Sequence, residues 1–231
     1  MAAPPVLVFD VNETLLDIDG LSPFFERVFG DSAVLREWFG QLVMYSMTLT
    51  LSGRYVDYLT LAQQVARMLA DIHRVNITDA DVHELRAGML TMPAHPDAVD
   101  GLTTLRDKGF RLVTLTNSPP NPGGPSALQH AGLAQFFERQ FSVDAVGAFK
   151  PAPAVYHRVC QELGVAAAAC MLVAAHMWDT VGAQSAGYSG ALITRPGNAR
   201  LQGHGLPQPT MVAPDLRDFA RQLSTARSDL S

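Results

Sequence analysis

The residues best equipped for chemistry stand at the ends of apolar runs. Val6, Leu7, Val8 and Phe9 lead straight into Asp10, and Thr14 follows one helical turn's distance on. A continuous, valine-rich apolar run bounded by polar residues is the pattern of a strand buried on both faces. Open α/β sheets bind their ligands at the carboxyl ends of such strands. Asp10 is therefore expected as a carboxylate at the mouth of a parallel sheet, although an acidic residue opening an ordinary turn reads the same locally. Thr116 and Asn117 close a second run, 111–115. Lys150 comes just after a third strand, and Asp179 lies in the loop after a fourth. In a doubly wound sheet these ends lie side by side.

That set suits nucleophilic carboxylate chemistry. Asp10 can attack an electrophilic carbon or phosphorus and form a covalent intermediate. Lys150 keeps it ionised and stabilises charge in the transition state. Thr14 and Thr116 can fix its rotamer by hydrogen bonds, and Asp179 can orient or deprotonate water for the release step. Structural readings compete at several positions. Thr14 also suits a helix cap or turn, and Lys150 a solvated loop. Tyr156 sits at a helical apolar position that suits the core, and Trp178 suits either a site wall or core packing.

The elements that must position these residues form an α/β chain. After the first strand, positions 35–46, 58–70 and 78–89 carry helical periodicity, the last opened by Thr78 with Asp81 three residues on as a capping box. This is a helical module over 17–92, inserted in a core made of 1–16 and 93–231. Strand–helix alternation then resumes. A helix over 98–108 ends at Gly109, and strands are expected at 111–115, 140–143, 171–173 and 190–193, with an edge strand at 211–213. A Lys150–Pro151 turn opens another helix, stopped at Gly164, and the last residues fray. Short connections between alternating units imply a parallel sheet covered by helices.

Composition narrows the class. The 231 residues are 48% hydrophobic and 17% charged, which excludes disorder as the main state. A net charge of -5 and a pI near 5.7 argue against a nucleic-acid or anionic-membrane surface. Two cysteines, Cys160 and Cys170, make no disulfide framework, and no apolar run reaches membrane-spanning length. A soluble, cytoplasmic protein is the expectation.

The order of motifs resembles the haloacid dehalogenase superfamily over nearly the whole chain, and within it the L-2-haloacid dehalogenase group. The first motif is carried by Phe9, Asp10, Asn12, Thr14, Leu15 and Asp17. The cap is carried by Tyr45, Ser46, Gly53, Arg54 and Tyr55. Lys150, Pro151, Val155 and Tyr156 resemble the third motif, and Trp178, Asp179, Gly182 and Ala183 the fourth, with Arg195, Gly197 and Asn198 in the run that follows. The resemblance implies a Rossmann-like core with a helical cap after the first strand. It implies Asp10 as nucleophile and Lys150 as its charge partner. Thr14, Thr116 and Asn117 would hold nucleophile and substrate, Tyr156 would line the site, and Asp179 would serve hydrolysis. The implied reaction displaces halide from a small 2-halo carboxylic acid and then hydrolyses the aspartyl ester to a 2-hydroxy acid, with no cofactor. Dimers are common in the family, which leaves a homodimer open.

Asn12 separates this branch from the phosphatases of the superfamily. Those usually carry a second aspartate there to protonate the leaving group, and need Mg²⁺ held by further acidic residues. Position 12 here is an amide, and Ala174, Ala175 and His176 precede a single aspartate, so no metal site is expected. An Mg²⁺-dependent phosphatase is the alternative, and a non-catalytic binding protein a third class. Two departures from the dehalogenase pattern stand out. Phe39 occupies the place of a substrate-binding arginine, with Arg36 and Arg54 the cap residues available to replace it. His176 stands where an asparagine is usual, as a proton acceptor or a halide-facing donor.

Overall fold

The computed structural model describes residues 6–228. Its centre is a six-stranded, wholly parallel sheet in the order β3-β2-β1-β4-β5-β6. The strands are β1 (Val6–Phe9), β2 (Arg111–Thr116), β3 (Arg139–Ser142), β4 (Cys170–Ala174), β5 (Ser189–Ile193) and β6 (Met211–Ala213). β1 lies between β2 and β4, with Phe9 opposite Thr114 on one side and Val173 on the other. All four β1 side chains are fully buried, as expected for a strand covered on both faces. Asp10 N–H continues the ladder with one further bond to Val173 O at 3.0 Å, so the carboxylate is fixed to the end of the central strand.

In sequence, helices α1 (Ser22–Phe29), α2 (Val34–Leu51), α3 (Tyr58–His73) and α4 (Asp79–Leu90) come between β1 and the remaining strands, and they pack on one another. The capping box at the start of α4 is present, Thr78 and Asp81 satisfying each other's backbone N–H. The two chain segments flanking these helices run side by side: Asp17 N–H donates to Pro93 O at 2.7 Å and His95 N–H to Leu15 O at 2.9 Å. Beyond them follow α5 (Ala98–Asp107), the short α6 (Ala127–His130), α7 (Pro153–Leu163), α8 (Met177–Ser185) and α9 (Leu216–Ser228).

Several expectations need adjustment. β3 begins and ends one residue earlier than the apolar pattern indicates, because Val143 already turns into a 3-10 segment. Lys150 does not follow β3 directly but stands at the turn before α7. Asp179 is in the first turn of α8 rather than in a loop, since the connection from β4 is only Ala175 and His176. Among the described residues β6 is followed by a helix that the sequence reading did not include. Leu216, Phe219, Ala220 and Leu223, at helical spacing, bury one face of α9 against α5. Gly101 permits that approach, since a Cβ there would meet Leu216 Cβ at 2.6 Å. Fraying of the last residues concerns positions outside the described ones. No helix among the described residues is long and apolar enough to cross a membrane.

Candidate active site

The carboxyl ends of β1, β2 and β4 converge on one ammonium group. Lys150 Nζ donates to Asp10 Oδ1 at 2.7 Å, Asp179 Oδ2 at 2.6 Å and Leu115 O at 3.0 Å. Those are all three of its protons. The side chain has no exposed surface, so it is held in one place. Its backbone is held too, because Lys150 N–H donates to Asn117 Oδ1 at 3.1 Å. On the other side, Gly182 lets α8 close on the same turn, where a Cβ would lie 2.4 Å from Pro151 Cβ.

Thr14 fixes the other oxygen of Asp10. Its hydroxyl accepts from Ala175 N–H at 2.9 Å and therefore turns its proton to Asp10 Oδ2, at 2.6 Å. Arg195 holds the loop that carries Thr14. Its Nε and Nη2 donate to Thr14 O at 3.2 and 2.9 Å, and Nη1 pairs with Asp97 Oδ1 at 2.7 Å. Asp97 Oδ2 in turn accepts from Leu216 N–H at 2.7 Å, which ties the site loop to the start of α9.

Tyr156 stands behind Asp179, donating to its Oδ1 at 2.6 Å. It is fully buried, so it backs the carboxylate instead of lining the open site as the resemblance implied. Thr116 also departs from expectation. Its hydroxyl accepts from Ser118 N–H at 3.1 Å, and it lines a neighbouring cavity of about 180 Å³ with Asn12 and Ser118, so it does not fix the Asp10 rotamer. Asn117 is engaged with the Lys150 backbone as described.

His176, Phe39 and Trp178 form a second group. The imidazole is stacked on Trp178, ring centres 5.2 Å apart, and tilted against Phe39 at 5.4 Å. Its Nε2 meets Glu13 Oε2 at 2.6 Å, and its Nδ1 faces Asp10 Oδ2 at 3.6 Å. Glu13 is further paired with Arg36, which also reaches Asp19 Oδ1 at 3.1 Å. Glu13, Arg36, Phe39, Val43, His176 and Trp178 line a cavity of about 460 Å³. Of the two arginines available for the missing anchor, Arg36 is at this cavity, whereas Arg54 is exposed and lines none of the cavities described here.

Glu13 is the residue that sequence reasoning missed. It is buried to 2% exposure and adopts φ 66°, a left-handed conformation uncommon outside glycine. Among the polar residues of the first motif, Asp10, Asn12, Thr14 and Asp17, nothing in the sequence sets it apart. Arg195 was noticed only as part of a run, and Asp97 not at all, because their partners (the Thr14 carbonyl for Arg195, Arg195 and Leu216 N–H for Asp97) lie about a hundred or more positions away in sequence.

The ionisation states follow from this alternation of charges. Burial alone would raise the Asp10 carboxyl, but Lys150 and His176 hold it well below the usual carboxylate range. Burial and the Asp10 charge push Asp179 up, against the pull of Lys150. Burial would lower Lys150, and its two carboxylates raise it instead. Burial would likewise lower His176, yet Asp10 and Glu13 hold it up at about 9. With a carboxylate facing each ring nitrogen, the imidazolium is favoured, which suits the donor option for position 176. Glu13 is lowered by His176 and Arg36 despite its burial. The result is an ionised carboxylate beside a second carboxylate, with two buried cations around it, which is machinery for nucleophilic displacement and hydrolysis.

Comparison with known proteins agrees. The family model of the haloacid dehalogenase-like hydrolases matches residues 4–187. The (S)-2-haloacid dehalogenase 1 of Pseudomonas sp. (strain CBS-3) is 30% identical over 191 residues, 81% of this chain and 83% of that protein. The (S)-2-haloacid dehalogenase of Pseudomonas sp. (strain YL) is 26% identical over 194 residues, 83% of each chain. Among solved structures, an L-2-haloacid dehalogenase superposes with a TM-score of 0.88 at 26% identity, covering 96% of this chain and 99% of that one. On its sheet order, its buried Asp10–Lys150–Asp179 cluster and these matches, the chain belongs to the haloacid dehalogenase-like hydrolases.

Proposed function

We propose that this chain cleaves the carbon–halogen bond of a small 2-halo carboxylic acid through an ester on Asp10, giving a 2-hydroxy acid and halide. The observation that carries this reading is the state of Asp10: ionised, ion-paired to Lys150 at 2.7 Å and followed at position 12 by an amide that has no proton to give. Halide departs without protonation, so displacement needs no acid at that position. Asp10 attacks the carbon bearing the halogen. Lys150 then faces the ester carbonyl oxygen and stabilises the charge that develops on it when water attacks. Asp179, raised by burial and steadied by Tyr156, takes the proton of that water. Thr14 fixes the nucleophile's rotamer. Phe39 and Trp178 wall the cavity, with Arg36 the cap arginine available to an incoming carboxylate. The helices over 17–92 act as a cap on a core of 1–16 and 93–231. The reading places the reaction in the cytoplasm without metal or cofactor.

The test is halide release from chloro-, bromo- and fluoroacetate and from both 2-chloropropionate enantiomers, with and without chelator. Chelator-insensitive release supports the reading. Turnover of phosphate esters with Mg²⁺ and of no haloacid would overturn it.

A further inference from the structure

The half-reaction that breaks the ester has a need that halide departure lacks. When water attacks Cγ of an Asp10 ester, the alkylated oxygen leaves with the product. It leaves as an alkoxide unless a proton reaches it. The structure indicates which oxygen that is. Asp10 Oδ1 is bound by the buried Lys150, whereas Oδ2 faces His176, which lines the 460 Å³ cavity. Oδ2 is therefore the oxygen presented to substrate, and Oδ1 becomes the ester carbonyl against the ammonium.

The donors around Oδ2 can be taken in turn. Lys150 has all three protons engaged elsewhere. Asn12 is an amide, and its nitrogen donates to Ser118 Oγ at 3.2 Å. Thr14 offers a hydroxyl, which is too weak an acid at neutral pH. Tyr156 is bound to Asp179 and its phenol is raised well above its ordinary range by burial and that carboxylate. His176 is different. Its Nδ1 is buried, has no hydrogen-bond partner and lies 3.6 Å from Oδ2. Nε2 is anchored on Glu13, and rings on both faces prevent the imidazole from swinging away.

Resting on the dehalogenation reading above, we propose that His176 is the general acid of the second half-reaction, protonating Oδ2 as the Asp10 ester breaks. In the first half-reaction an Oδ2 lone pair forms the bond to C2, and the C–halogen pair leaves with the halide. Water then adds to Cγ, its proton passes to Asp179, and the carbonyl pair moves onto Oδ1 beside Lys150. As the tetrahedral centre collapses, the Cγ–Oδ2 bond breaks and Oδ2 takes the Nδ1 proton. Asp10 is left as a carboxylic acid, whose proton returns to Nδ1, and the Asp179 proton goes to solvent. The sum is halo acid plus water giving hydroxy acid, halide and one proton.

Alkylation also arms this acid. The groups facing the imidazole are Asp10 and Glu13, with Lys150 behind the first and Arg36 behind the second, and the Tyr58 hydroxyl near both carboxylates. Ester formation removes the Asp10 charge, one of the two that keep the proton on His176. The imidazolium becomes more acidic only once there is an ester to cleave.

His176→Asn keeps a donor of similar size but has no proton to give up. With 2-chloropropionate, rapid quench of this variant should show a first-turnover halide burst of one equivalent per site. Steady turnover should fall ~10²–10⁴-fold, the range for loss of a general acid. Intact-protein mass should show the ester accumulating on Asp10. Glu13→Gln should move the alkaline limb of kcat to lower pH. Unimpaired turnover of His176→Asn without ester, loss of its burst in a variant whose circular dichroism is native, or an unmoved alkaline limb in Glu13→Gln would each overturn the proposal. Absence of any halide release by the unmodified protein would instead overturn the dehalogenation reading.

Discussion

Replacing Lys150 by Met tests whether the site is held together by one charge. The methionine fills similar volume but leaves Asp10 and Asp179 buried without the ammonium that lies 2.7 and 2.6 Å from them. Both carboxyls are 7% exposed or less, so solvent cannot take over its role. Removing one partner of a buried ion pair costs about 3–5 kcal/mol, because a buried charge remains uncompensated. The pH dependence follows from the shifts. Asp10 is depressed on folding, so its contribution is present above its unfolded value of about 3.9 and disappears as pH falls through the lower folded value. Lys150 is raised, so its contribution is complete below its unfolded value of about 10.4 and disappears as pH rises through the folded one. Without Lys150 both carboxyls shift up and oppose folding whenever they are ionised. The variant should therefore be about 3–5 kcal/mol less stable at pH 7 by urea unfolding, with a smaller deficit at pH 4.5, where the carboxyls take up protons. Turnover at pH 7 should fall at least ~10²-fold, since the charge that develops on the ester carbonyl oxygen loses the ammonium that stabilises it. A deficit below about 1 kcal/mol at pH 7, or one that does not shrink on acidification, would refute the view that Lys150 compensates both carboxylates.

Two other perturbations probe the supports. Tyr156→Phe leaves Asp179 Oδ1 buried without its 2.6 Å donor, and should cost about 1–3 kcal/mol in urea unfolding and move the acid limb of kcat to higher pH. Arg195→Met strips the Thr14 carbonyl of two donors and leaves Asp97 unpaired, and should cost about 3–5 kcal/mol. Adding Asp97→Asn should recover part of that loss, as a double-mutant cycle in denaturant would show.

Much of the core was legible because buried parallel strands announce themselves locally. Val6 to Phe9 and Met171 to Val173 are apolar without interruption and Leu112 to Leu115 is broken only by the buried Thr114, since both faces are covered, and Asp10 is conspicuous as the first charge after such a run. The end of the chain was read too weakly, although Leu216, Phe219, Ala220 and Leu223 carry helical spacing. A partner face, supplied by α5 more than a hundred residues earlier, is what makes that spacing a helix.

Residue types, spacing and motif order were sufficient to single out Asp10, Lys150 and Asp179, which the fold brings together, and to point to the family, because those features are properties of the chain itself. Only the tertiary structure decided where each side chain points. It turned Thr116 to Ser118, set Tyr156 behind Asp179, joined Glu13 to His176 and fastened Thr14 with Arg195. Those pairings join residues from 2 to 181 positions apart, and hydrogen-bond geometry at 2.6 to 3.2 Å is settled by packing that no local pattern encodes.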